Sequence, residues 1–207
     1  MKTSVIAFFI TSTLLLNDAI AHQCEQTDRE LWRENREYKR TMALVGELFR
    51  CVDRSDLNNY VLRDKTQCSW FTGRAIDSLY GRSSFREAHG YLSSSSMAQK
   101  LHAGEIKDWQ KLGPASSQAI LDLVPRLTKK GKPVVAAWLG KNGQGHVSLV
   151  MPGGLAFSSS WGLKVPNAAN VTLGALNNSF YGCRLSYAFS KDKLDRTYLF
   201  SLNQQAQ

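Results

Sequence analysis

The spacing of apolar residues changes once along this chain, near Gly131, and that change limits its possible folds more than any motif does. Before it, apolar residues recur at intervals of three and four. Phe71, Ala75, Ile76 and Leu79 follow Cys68 in this way, and Ile120, Leu121, Val124 and Leu127 repeat the pattern further on. After it come short apolar or alternating runs at 133–139, 145–151 and 155–161, separated by Gly, Pro and Asn. Gly140-Lys141-Asn142-Gly143 and Pro152-Gly153-Gly154 read as turns of a meander, with 184–189 and 197–202 as later strands. Helices first and antiparallel strands afterwards predict an α+β domain, its N-terminal helices packed on one sheet.

The helical part divides further. A charge-rich amphipathic helix is predicted over 25–50 and a polar connector over 53–64. The helix that begins around Cys68 should stop at Gly81, a suitable left-handed cap. Short helices are expected at 97–101 and 105–111, and a longer one over 116–127 capped by Ser116 or Ser117. No internal repeat or interdomain linker interrupts the chain, so residues 22–207 are read as one domain. Within it, 22–64 form a helical extension and 65–207 the core.

Residues 1–21 read as a secretory signal: Lys2 is the basic start, 5–16 is largely apolar, and Ala19-Ile20-Ala21 is a small-x-small cleavage site. The apolar run is shorter than the roughly 20 residues a membrane helix needs. The expectation is a secreted or periplasmic monomer starting near His22, without stable membrane insertion. The net charge of +9 survives the cleavage, because Lys2 and Asp18 leave together. Such a balance suits an anionic partner such as a cell wall, a membrane surface or a polyanion. The cations are scattered and no basic stripe alternates with aromatics, so nucleic acid is not the expected partner.

Export permits disulfides among Cys24, Cys51, Cys68 and Cys183. A continuous 25–50 helix would separate its ends by about 40 Å. Bridged Cα atoms must come within about 7 Å, so Cys24 and Cys51 would not meet and Cys183 becomes the natural partner of one of them. Cys68 is then left free along with one other. A break near Gly46 removes that argument.

A free cysteine at a helix start suits nucleophilic chemistry. Orphan N–H groups and the positive end of the helix dipole favour the thiolate, which still needs a base and an orienting group for that base. His146, opening a run after a Gly-rich turn, is the candidate base, since its pKa lies near neutrality. If Pro152-Gly153-Gly154 closes a three-residue hairpin, Met151 pairs with Leu155 and His146 lies opposite Ser160, which becomes the preferred orienting residue. A two-residue loop would put Trp161 opposite instead. The oxyanion would be held by the Cys68 N–H, helped by Gln67 or Tyr60. Trp161, after a polar run, is read as lining a cleft, and Trp70 and Phe71 as core. His89 and His102 are assigned no role. No close Cys/His pairs recur, so no metal or other cofactor is expected. The sequons at Asn170 and Asn177 are attributed to chance.

Gln67-Cys68-Ser69-Trp70-Phe71 resembles the Q-C-[ST]-W-[YF] stretch of CHAP domains, and Gly145-His146-Val147-Ser148-Leu149-Val150 resembles their G-H-V-A-x-V strand. Ser158-Ser159-Ser160-Trp161 is similar to their later segment ending in Asn-Trp. The order Cys, helix, sheet, His is also that of NlpC-type peptidases and the wider papain-like group. The resemblance covers Cys68 to Trp161 and implies a papain-like fold. It also implies a cysteine amidase or endopeptidase that cleaves peptidoglycan peptides through a thioester, as in bacterial amidase effectors, for which an immunity or inhibitor protein is the expected partner. Two departures stand out: the family places Asn, Glu, Asp or His third, where this chain has serines, and the insert between Cys68 and His146 carries extra helical material. A transferase, a peptidase for host protein, or a non-enzymatic basic binding protein with a structural Cys68 are the competing readings.

Overall fold

The computed structural model describes residues 22–23, 40–41, 43–48, 67–172 and 178–203, with the side chains of 22–23 and 67–70 excluded. Residues 1–21, expected to be a secretory signal, and Tyr60 lie outside the described residues, as does most of 25–50, of which 40–41 and 43–48 are helical. Three helices follow: α1 (Gln67–Tyr80), α2 (Ser94–Ala103) and α3 (Gln118–Lys129). The strands are β1 (His22–Gln23), β2 (Arg86–Glu87), β3 (Gly90–Tyr91), β4 (Trp109–Pro114), β5 (Val134–Leu139), β6 (Gly145–Ser158), β7 (Leu163–Asn170), β8 (Phe180–Arg184) and β9 (Thr197–Leu202). Apart from the β2–β3 hairpin they form one sheet in the order β1-β8-β7-β6-β5-β9-β4. Six of its strands are antiparallel and β1 adds a short parallel edge. The molecule is mixed α+β.

Strand alternation gives the sheet two apolar faces, each covered by different helices. Val135, Ala137, Val147, Leu149, Met151, Ala169 and Phe200 meet Phe71, Ala75 and Ile76 of α1 and Met97, Ala98 and Leu101 of α2. Val134, Ala136, Val150, Val165, Ala168 and Leu199 meet Leu121 and Val124 of α3, together with Phe189 and Leu194. Period-2 strands with apolar residues on both sides need cover on both sides, because burial of apolar area is the dominant favourable term.

Several elements form where the residue pattern places them. Helix α1 ends at Tyr80, followed by Gly81 at φ +62°. Ser117 occupies the extended N-cap position of α3, without a side-chain capping bond. The Gly140–Gly143 turn joins β5 to β6, closed by hydrogen bonds from Gly140 N–H to Gln144 O and from Gly143 N–H to Gly140 O.

Four elements differ from the sequence expectation. Residues 109–114 form edge strand β4 rather than the end of a helix, pairing with β9 from Trp109–Leu202 onward. Residues 185–187 are a 3-10 turn, and the preceding 180–184 are the strand. Leu163–Asn170 is a full strand although it contains Pro166; the ladder bonds that β7 makes hold it beside β6 and β8. Most consequential, Pro152-Gly153-Gly154 is not a turn. Strand β6 runs straight through it with a register shift between Val150 and Leu155, and the chain reverses at 159–162 instead. A bulge absorbs the residues that would otherwise close a hairpin.

Candidate functional site

One end of the sheet gathers the C-terminal ends of β5 and β7 and the N-terminal ends of β6, β8 and β9. His146 is the second residue of β6 and pairs across the strand with Trp138 of β5. Its neighbour Gly145 lies under α2: a Cβ built there would stand 2.8 Å from both Ala98 Cβ and Ser95 Cα. Alternation therefore turns the half-buried imidazole to the other face of the sheet, the face that α3 covers.

There, His146 Nε2 lies 2.7 Å from Asn170 Oδ1, at the end of β7. The Asn170 Nδ2 group donates to Thr172 Oγ1 at 3.3 Å, so the carboxamide turns its oxygen to the ring. Nε2 is then the protonated nitrogen, and Nδ1 of the neutral ring keeps its lone pair as the basic position. The Phe189 ring stands edge-on to the imidazole at 5.3 Å. Burial lowers the His146 pKa from its ordinary 6.5; the Asn170 bond works upward, and the charge of Lys193 works downward. A neutral, oriented imidazole at a strand start is fit to accept a proton.

Asn170 occupies the place expected for Ser160. The hairpin that would have aligned Ser160 with His146 does not form; Ser160 lies in the β6–β7 reversal, and its Oγ is 3.1 Å from Ser158 Oγ. The real ladder, Leu149 opposite Ala169 and Val150 opposite Ala168, brings Asn170 alongside the start of β6. In the sequence Asn170 reads only as part of a sequon. With the side chain 2 % exposed and bonded to His146, it has no room for a glycan.

Trp161 does not line a cleft. It is 4 % exposed and donates its Nε1–H to Phe189 O at 3.0 Å, so it fixes the residue whose ring rests on His146. Cys68 is the second residue of α1, in the first turn as expected, and Gln67 is the first. Their side chains, like all of Tyr60, lie outside the described residues. The body of α1 packs on the face opposite to the one His146 occupies. Laying the cysteine helix on the sheet does not by itself bring its residues to the imidazole. Cys183 is disulfide-bonded, in keeping with its expected engagement, and the sulfur it joins lies outside the described side chains.

His102 of α2 sits at the same end of the sheet on the α1 side. Its Nε2 is 3.2 Å from Ala137 O, and its ring packs against Tyr198 and Phe200. Beside it opens a cleft of about 260 Å³ lined by Leu139, Gly140, Lys141, Asp195, Arg196 and Tyr198. Among the described residues no cluster of three or more His, Cys, Asp or Glu side chains can hold a metal ion. No described helix is long and apolar enough to cross a membrane.

No protein-family model matches this chain, and a search of curated proteins found no relative.

Proposed function

We infer that the protein is an exported cysteine amidase or endopeptidase of papain-like type, acting on amide bonds of peptidoglycan stem peptides. The observation that carries this reading is the His146–Asn170 pair, an imidazole held by a carboxamide through Nε2 with Nδ1 left basic. Cys68 at the start of α1 supplies the nucleophile. His146 Nδ1 takes the thiol proton, and the thiolate adds to the peptide carbonyl. The oxyanion is held by the Cys68 N–H, with Gln67 or Tyr60 assisting. His146 then returns its proton to the departing amine as the C–N bond breaks. Water adds to the thioester with His146 again as base, releasing the acid and the thiol. Because the helix body lies on the other face, the start of α1 has to reach the ring around the margin of the sheet.

That same geometry favours a second reading, a non-enzymatic basic binding protein in which Cys68 is structural. Two measurements separate the readings. Peptide mapping of the native protein should join Cys183 to Cys24 or Cys51, and Cys68 should alkylate with iodoacetamide at pH 6 faster than a model thiol. Purified sacculi should yield new muropeptides with the wild type and none with Cys68→Ala. A Cys68–Cys183 bridge, or sacculi left intact by both proteins, ends the enzymatic reading.

A further inference from the structure

The polar contacts behind the candidate base form one line, and its far end is main chain. His146 Nε2 faces Asn170 Oδ1 at 2.7 Å, Asn170 Nδ2 faces Thr172 Oγ1 at 3.3 Å, and Thr172 Oγ1 faces the Asn178 carbonyl oxygen at 3.4 Å. Thr172 stands two residues past the end of β7 and Asn178 two residues before the start of β8, so the line crosses between the two ends of the β7–β8 connection. The Thr172 N–H fastens the same junction by donating to Ser179 Oγ at 2.8 Å, and Ser179 is buried.

A carbonyl oxygen only accepts, so the single hydroxyl hydrogen of Thr172 is spent on Asn178 O. Toward Asn170 the Thr172 oxygen is then an acceptor alone. A carboxamide has one donor end and one acceptor end. Turned over, it would set its oxygen against a second acceptor and its NH2 against the ring. The neutral ring would then accept at Nε2 and carry its proton on Nδ1, the nitrogen that has to take the proton of the thiol. Direction therefore passes from a main-chain carbonyl on one side of the junction to the imidazole on the other.

We propose that Thr172 is a positioning residue for His146: with its hydrogen committed to Asn178 O, it fixes which way the Asn170 carboxamide points and so which ring nitrogen is free to act as base. Ser179 supports it by holding the Thr172 main chain. The threonine of Asn170-Val171-Thr172, which in the sequence reads only as part of a sequon, thereby acquires a structural purpose. The assignment rests on the amidase reading for the use made of the free nitrogen, and deepens it.

The tautomer is measurable without substrate, by nitrogen NMR of the imidazole in the full chain above the pH at which the ring titrates. His146→Ala identifies the signal among the four histidines. The native ring should carry its proton on Nε2 alone. Thr172→Val, which keeps the shape and removes the hydroxyl, should bring in the Nδ1–H form, and Thr172→Ser should keep the native pattern. Asn170→Asp combined with Thr172→Val should also show Nε2–H alone, because a carboxylate accepts at both oxygens and has no direction to lose. Thr172→Ala reads the same loss if the valine variant folds poorly. Turnover of a stem peptide should fall about tenfold in kcat with Thr172→Val, the scale of one misdirected hydrogen bond, with KM unmoved and Thr172→Ser active. A native ring protonated on Nδ1, a tautomer unchanged by Thr172→Val or Thr172→Ala, or a double variant that shifts as Thr172→Val does overturns the role of Thr172. The expected tautomers in a protein that leaves sacculi intact keep that role and remove the amidase reading.

Discussion

Two histidines stand at the same end of the sheet, one on each face, and they are held in different ways. His102 rests against a main-chain carbonyl, Ala137 O, between Tyr198 and Phe200. His146 is held by the side chain of Asn170, itself set by Thr172. Burial lowers both pKa values. A ring fixed by backbone serves the packing of its helix. A ring fixed by a second side chain has its tautomer and direction chosen by sequence, which is the arrangement that proton-transfer sites use. Both pKa values therefore move the same way while the two rings are anchored differently, one by main chain and one by a side chain.

The sharpest ways to break that contrast are to remove His146 itself and then its partner. His146→Ala should lower kcat for stem-peptide cleavage by about 10²–10⁴-fold, the usual contribution of a positioned base. Asn170→Ala should cost about 10²-fold through misorientation of the ring. It should also move the His146 pKa further down, because the Asn170 bond is what raises it; titration of the ring by NMR reads this directly. An unchanged titration would mean that the carboxamide does not set the ring. His102→Ala should instead appear in stability, lowering the unfolding free energy by about 1 kcal/mol through the lost bond to Ala137 O, as measured in urea.

Protonation gives a smaller effect with a definite sign. Both rings bind a proton less readily in the folded chain than at the ordinary 6.5. The unfolded chain thus holds more protons once the pH falls through about 6.5, and stability drops from there until the pH passes below the folded values. Urea midpoints between pH 7.5 and 5.5 should fall with acidity, and His102→Ala should flatten part of the slope. Smallest of all, Lys193→Gln should raise the His146 pKa while leaving His102 alone, and Lys111→Gln should do the reverse.

The sequence carried the α+β class, the helix start at Cys68, the Gly81 stop, the Gly140–Gly143 turn and the strand at 197–202, because each has a local cause in spacing or in a left-handed glycine. The orienting residue was not legible. It depends on register, and one misread turn at Pro152-Gly153-Gly154 displaced the whole β6–β7 ladder and put Ser160 where Asn170 stands. Trp161 was misread because its indole N–H finds a carbonyl in the interior, a pairing between residues far apart in the chain. The facing of His146 follows from alternation alone, but which helix covers which face is a tertiary outcome.

The closeness of Gly145 to α2 has a mechanical side. Gly145 N–H donates to Ser95 Oγ at 3.0 Å, and Gln99 Nε2 donates to Gly143 O at 3.1 Å, so the helix grips the loop that leads into His146 from behind. Any side chain at 145 would act as a wedge, prying helix from loop and swinging the imidazole off its carboxamide. The steadiness of His146 is borrowed from a helix that lies on the opposite face of the sheet.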